Sequence, residues 1–172
     1  MREFENSRYN ADNGAMGRGI QAEIKQTKPF SGLEEEAFVS LMRTADRLQQ
    51  EVTALLKEHG LSPTQFNALR ILRGAGADGL PCSEVGERMI SHDPDITRLL
   101  DRLERRGLVR RSRGQEDRRV IMACITPAGL DAIKPLDRPM EEYHRRSMKH
   151  IPKTQLKSLL NVLDTVRRGN SE

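Results

Sequence analysis

The sequence predicts a mainly α-helical fold carrying one small β-hairpin, and three observations point there. Aromatic residues make up 3% and charged residues 31% of the 172 positions, a balance that suits helices with Leu/Ile/Val seams better than a β-sandwich. Apolar residues recur mostly at spacings of three and four, the period of a helix face. Only one stretch, "LVRRSR" and "RRVIMACI" around "GQED", favours two strands joined by a Gly-containing turn. A chain of this length accommodates one domain with helical extensions, and it shows no internal repeat.

Taken in order, residues 1–30 mix Asn, Gly, Arg, Asp and Gln without apolar periodicity and read as a flexible tail. At "SGLEEE", Ser31 is a candidate N-cap, and Glu34 to Glu36 suit the positive end of a helix dipole. The helix that follows, within 31–60, repeats Phe38, Leu41, Ala45, Leu48, Val52 and Leu55 in an alternating 3,4 rhythm and stops at Gly60. Ser62 as N-cap and Pro63 as first residue open a second helix with Phe66, Leu69 and Leu72 inward, stopped by Gly74 and Gly76. Leu80 to Cys82 reads as a short extended piece, and a helix of about two turns then starts at Ser83 with Val85 and Met89 inward.

"SHDPD" is a turn, with Asp93 as N-cap, Pro94 and Asp95 in the first turn of a helix over 93–106, and Gly107 closing it. Two helices joined by a tight polar turn make a helix-turn-helix, and the hairpin over 108–125 adds a wing. Thr126 as N-cap and Pro127 start another helix with Leu130 and Ile133 on its stripe, which Pro135 and Pro139 must kink or break. Lys153 to Arg168 form a last amphipathic helix through Leu156, Leu159, Leu160, Leu163 and Val166. The organisation is thus a tail (1–30), a helix (31–60), a winged helix-turn-helix domain (61–126) and C-terminal helices (127–172). The first and last helices have apolar seams but no sheet or third layer to cover them, so both are expected to dimerise with a second copy. Phe38, Leu41, Leu48, Val52, Leu156, Leu159, Leu160 and Leu163 are the expected contacts.

Charge says what the winged domain meets. Residues 98–119 hold nine arginines against four acids, a net +5 in a chain of net +4, which leaves the rest at −1. On a helical wheel Ile96, Leu99, Leu100 and Leu103 share one face of the 93–106 helix, while Arg98, Arg102 and Arg105 share the opposite one. A cationic helix followed at once by an arginine-bearing hairpin fits double-stranded DNA, whose major groove, about 12 Å wide, admits a helix. His92, Asp93, Asp95, Thr97 and Arg98 lie near the helix start and are placed for base edges; Asp95 would there accept from cytosine N4 or orient Arg98, and stabilising the helix start is at least as good a role for it. Arg102 and Arg105 lie further along and suit phosphates. At the hairpin, Arg113, Arg118 and Arg119 flank a tip narrow enough for a minor groove, and Asp117 is placed to hold one of them extended.

Other functions find little support. His59, His92, His144 and His150 are dispersed, and no nucleophile–base order, phosphate loop or paired carboxylate site stands out, so neither catalysis nor a cofactor is expected. His144 and His150 near Glu141 and Glu142 are a weak metal pattern, and no metal site is expected. Cys82 and Cys124 are too few for a disulfide framework; a redox- or metal-responsive regulator of the same fold, or a winged helix used for protein contacts, are the alternatives. No apolar run of about 18 residues occurs and the start lacks an apolar signal region, so a cytoplasmic protein without membrane contact is expected.

Three stretches carry a family resemblance: "TRLLDRLERRGLV" from Thr97 to Val109, "DRR" from Asp117 to Arg119, and "ITPAG" from Ile125 to Gly129. With them, the sequence from about Leu33 to Arg168 resembles the MarR family of bacterial transcriptional regulators. Ile125 stands where the family pattern has Leu, and Ala123 where a larger aliphatic is usual. The resemblance implies a homodimer with intertwined first and last helices and two winged helices on a palindromic operator. It further implies a repressor released by a small, often aromatic, effector. Residue by residue, it makes Asp117 and Arg119 the wing pair and places Thr97 and Arg98 on the recognition helix.

Overall fold

The computed structural model describes residues 19–91 and 95–169, so the expectations for positions 1–18 and for His92, Asp93 and Pro94 lie outside the described residues. The chain divides into two compact units, one up to Pro63 and one from Thr64 onward.

In the first unit, α1 (Ile20–Glu23) is a single helical turn, and Arg43 of α2 (Leu33–Lys57) reaches its Glu23 at 3.1 Å. The flexible tail expected to run to residue 30 is therefore too long, because this turn has an ion pair and a helix to rest on. Ser31 is not the N-cap of α2; that position is Gly32, which makes no side-chain cap bond. Ser31 instead donates its N–H (2.6 Å) and hydroxyl (2.7 Å) to the Glu35 carboxylate, and those two bonds hold Glu35 below the usual carboxylate range. Within α2, Phe38 (65%) and Leu41 are exposed while Leu48 and Val52 are half-buried. Leu56, outside the expected seam, is fully buried.

The second unit starts within α3 (Pro63–Ala75), which runs through Gly74 and ends where Gly76 turns the chain at φ 74°. After a short 3₁₀ turn comes β1 (Leu80–Pro81), followed at once by α4 (Cys82–Glu87). Cys82 thus begins the helix instead of ending the strand, one residue before the expected start at Ser83. The next helix, α5 (Ile96–Arg105), is capped by Asp95. Its end is sharp: Gly107, at φ 72°, donates to Glu104 O at 2.8 Å and Leu108 to Leu103 O at 3.0 Å, a left-handed cap that glycine adopts without strain.

Strands β2 (Val109–Arg113) and β3 (Ile121–Ile125) form the hairpin, with Val109 opposite Ile125 and Arg113 opposite Ile121. β1 adds to the far edge of β3, Leu80 opposite Ala123, giving an antiparallel sheet in the order β1-β3-β2. Thr126 caps α6 (Pro127–Ile133) by accepting from Gly129 N–H at 3.0 Å. Pro135 falls in a 3₁₀ turn, and α7 (Asp137–Met148) resumes beyond it, so the expected break occurs at Pro135; Pro139, expected to break the helix too, sits in the first turn of α7, where a missing N–H costs nothing. Leu130, expected inward, is exposed, whereas Ile133 is fully buried. The last helix is α8 (Lys153–Gly169), on which Leu159 and Leu160 (65%) are exposed and Leu156 and Leu163 half-buried.

The core of this unit is built from Phe66, Leu69 and Leu72, then Val85, then Leu99, Leu100 and Leu103, then Val109 and Ala123, then Ile133, Leu136, Met140 and Tyr143, while α8 contributes no buried residue. Arg73 on α3 grips Asp137 on α7 through two bonds of 3.0 and 2.8 Å, and these hold the Asp137 carboxyl below its usual range.

Candidate nucleic-acid interface

The start of α5 is organised by one carboxylate. Asp95 accepts from the Arg98 N–H at 3.1 Å and pairs with the Arg98 guanidinium at 3.0 Å. The same side chain therefore satisfies an orphan donor of the helix start and aims an arginine. Helix-start stabilisation and the orienting of Arg98 are thus one arrangement. Behind it, Leu99, Leu100 and Leu103 are buried, and Ile96 packs 3.6 Å from where a Cβ on Gly86 would stand. A methyl group at that position would make an ordinary van der Waals contact with Ile96, so α4 and α5 pack without needing glycine there. Opposite the leucines, Thr97, Arg98, Arg102 and Arg105 are exposed, and Arg98, Asp101, Arg102 and Arg105 together line a shallow surface depression.

Arg111, which the charge pattern did not single out, turns inward. Its guanidinium bonds Glu104 at 2.9 and 2.7 Å and also Asp101, and its N–H donates to Glu104 at 2.9 Å. Those hydrogen bonds keep the Glu104 carboxyl below its usual range and raise Arg111. The consequence is twofold. The two acids of α5 are both engaged by one guanidinium, which offsets one of their two charges, and β2 is tied to α5. A signal for this was present, since strand alternation puts residue 111 on the same face as buried Val109, with two acids at i,i+3 spacing on the preceding helix.

At the wing, Gly114 donates to Val120 O at 2.9 Å, and the Asp117 carboxylate accepts from the Arg119 N–H at 2.8 Å. Asp117 thus shapes the backbone of the tip, where it was expected to hold one of the flanking arginine side chains extended. Arg113, Arg118 and Arg119 are exposed around it. Thr126 ties the base of the ribbon down, its N–H to Leu108 O at 3.1 Å and its hydroxyl to Gly107 O at 2.7 Å. Gly129 lies against that junction so closely that a Cβ would collide with the Leu108 carbonyl oxygen.

Comparison with protein families matches residues 61–121 to the MarR family. A curated relative, the HTH-type transcriptional repressor IacR of Pseudomonas putida, is 30% identical over 133 residues, covering 77% of this chain and 78% of that protein. The chain belongs to the MarR family. A solved MarR transcription factor from Planctomyces limnophilus superposes with a TM-score of 0.60 at 36% identity, covering 80% of this chain and 99% of that one. The match to the HTH-type transcriptional regulator MhqR of Bacillus subtilis (strain 168), 31% identical over 93 residues, covers 54% of this chain and spans 63% of that relative's length.

The other candidate chemistry gains little. Burial pushes the half-buried Cys82 thiol up, away from the thiolate a redox sensor needs, and Cys124 is buried with its Sγ 3.7 Å from Asp78 O. Among the described residues no His/Cys/Asp/Glu group of metal-holding size forms, and no helix is long and apolar enough to cross a membrane.

Proposed function

We propose that this MarR-family protein is a homodimeric, effector-responsive transcriptional repressor that reads a palindromic operator, with α5 in the major groove and the wing in the adjacent minor groove. The carrying observation is the cationic face of α5: Arg98, Arg102 and Arg105 are exposed opposite three buried leucines, while the two helix acids that would repel phosphate are taken up by Arg111. Arg98, at the helix start and aimed by Asp95, is assigned to base edges; Arg102, Arg105, Arg113, Arg118 and Arg119 are assigned to phosphates and the minor groove. The exposed rows at Phe38 and Leu41 and at Leu159 and Leu160 support burial against a second copy. Two-fold symmetry then sets two recognition helices about one DNA turn apart.

The test is selection of genomic fragments by the purified protein, followed by titration of a recovered site at several salt concentrations. A shared palindrome, with log K falling steeply against log[salt], is expected. Fragments without a common palindrome, or binding indifferent to salt, would overturn the proposal and favour a protein-contact module.

A further inference from the structure

We infer that Ile90 is a specificity-determining residue that senses a thymine methyl group, with Asn67 as the residue that positions it; the inference rests on the DNA-binding reading above. Ile90 is 86% exposed, more than any other large apolar side chain among the described residues. One exposed isoleucine by itself needs no explanation. What sets this one apart is that its backbone is fastened at Ile90 itself and at the residue before it. Met89, just before it, is buried and donates to Gly86 O at 3.2 Å. The Ile90 N–H is held at 2.8 Å by the Asn67 carboxamide oxygen, from a different helix, α3.

The side chain is thus displayed from a fixed backbone, and a β-branched residue has few χ1 rotamers through which to fold away. In the chain it stands between α4 and α5, six residues before Ile96, whose helix carries Thr97 and Arg98 in its first turn. That end of a recognition helix is the one that meets base edges. The arginines there can read acceptors on guanine or bind phosphate, but none distinguishes thymine by its 5-methyl group, which calls for an apolar partner.

The test uses the operator recovered by fragment selection, with each thymine of a half-site replaced in turn by deoxyuridine, which removes only the methyl. Wild type, Ile90→Ala and Asn67→Ala are titrated on every duplex, and circular dichroism checks that all three are folded. One replacement per half-site should weaken wild type about four-fold, the ratio that matches burial of one methyl group, and leave Ile90→Ala unaffected. Asn67→Ala should blunt the same penalty. Equal deoxyuridine penalties in wild type and Ile90→Ala, or no sensitive thymine at all, overturn the role of Ile90 while operator binding stands. If no fragment is recovered, the DNA-binding reading and this inference fall together.

Discussion

Replacing Arg111 by Met keeps most of the side chain's apolar stem and removes the guanidinium that bonds both Glu104 and Asp101. The three side chains are 23%, 36% and 32% exposed, between a surface pair, worth at most about 1 kcal/mol, and a buried one, whose disruption costs roughly 3 to 5. The Arg111 N–H bond to Glu104 survives the change. About 2 kcal/mol is therefore the expected loss, which at a urea dependence of roughly 2 kcal/mol per M lowers the midpoint by about 1 M. Urea titrations at fixed protein concentration, on Arg111→Met, Glu104→Gln and the double variant, measure it. Because Glu104 sits below its usual value of 4.5 when folded, its share is fully present above that pH and disappears as the pH falls through the lowered value. The gap between wild type and Arg111→Met should then be level near neutrality and narrow under acid. Additive effects in the cycle, or a gap that widens in acid, would refute the reasoning.

Other perturbations separate the remaining roles. Arg98→Ala should lose about 1 to 3 kcal/mol on the operator and relax preference at particular base pairs, whereas Arg105→Ala should weaken all sequences alike; competition titrations with random DNA tell them apart. Asp95→Ala removes the cap of α5 and the partner of Arg98 together, so stability should fall by about 1 kcal/mol and operator preference should decline with it, read by urea titration and competition binding. Gly129→Ala forces a methyl into the Leu108 carbonyl and should cost about 1 to 3 kcal/mol, seen as a lower thermal midpoint. Leu160→Asp should give monomers or unfolded chains in light scattering, and a folded monomer with full operator affinity would remove the dimer from the proposal.

What the sequence made legible follows from where local rules dominate. Proline and glycine punctuation set the helix at Pro63, the break around Pro135 and the left-handed stop at Gly107. The wheel separating Leu99, Leu100 and Leu103 from Arg98, Arg102 and Arg105 survives intact, because a period of 3.6 needs no tertiary knowledge. Caps were less legible where several candidates stood in a row: Ser31 preferred a carboxylate four residues on, and Asp95 took the start of α5. Composition could not tell Arg111 from its neighbour Arg110, since its inward direction comes from strand register. Nor could it show Asn67 reaching the turn at Ile90, a contact across 23 positions of chain.

The Thr126 junction has a mechanical consequence. One residue stitches the helix before the ribbon to the helix after it, through Gly107 O, Leu108 O and the Gly129 N–H, while Arg111 rivets the ribbon's first strand to the same helix. The ribbon is thus a paddle on a stiff wrist. A lever arm of this kind carries a small tilt at α6 outward to the arginines at its far end, where a modest rotation becomes a missed groove.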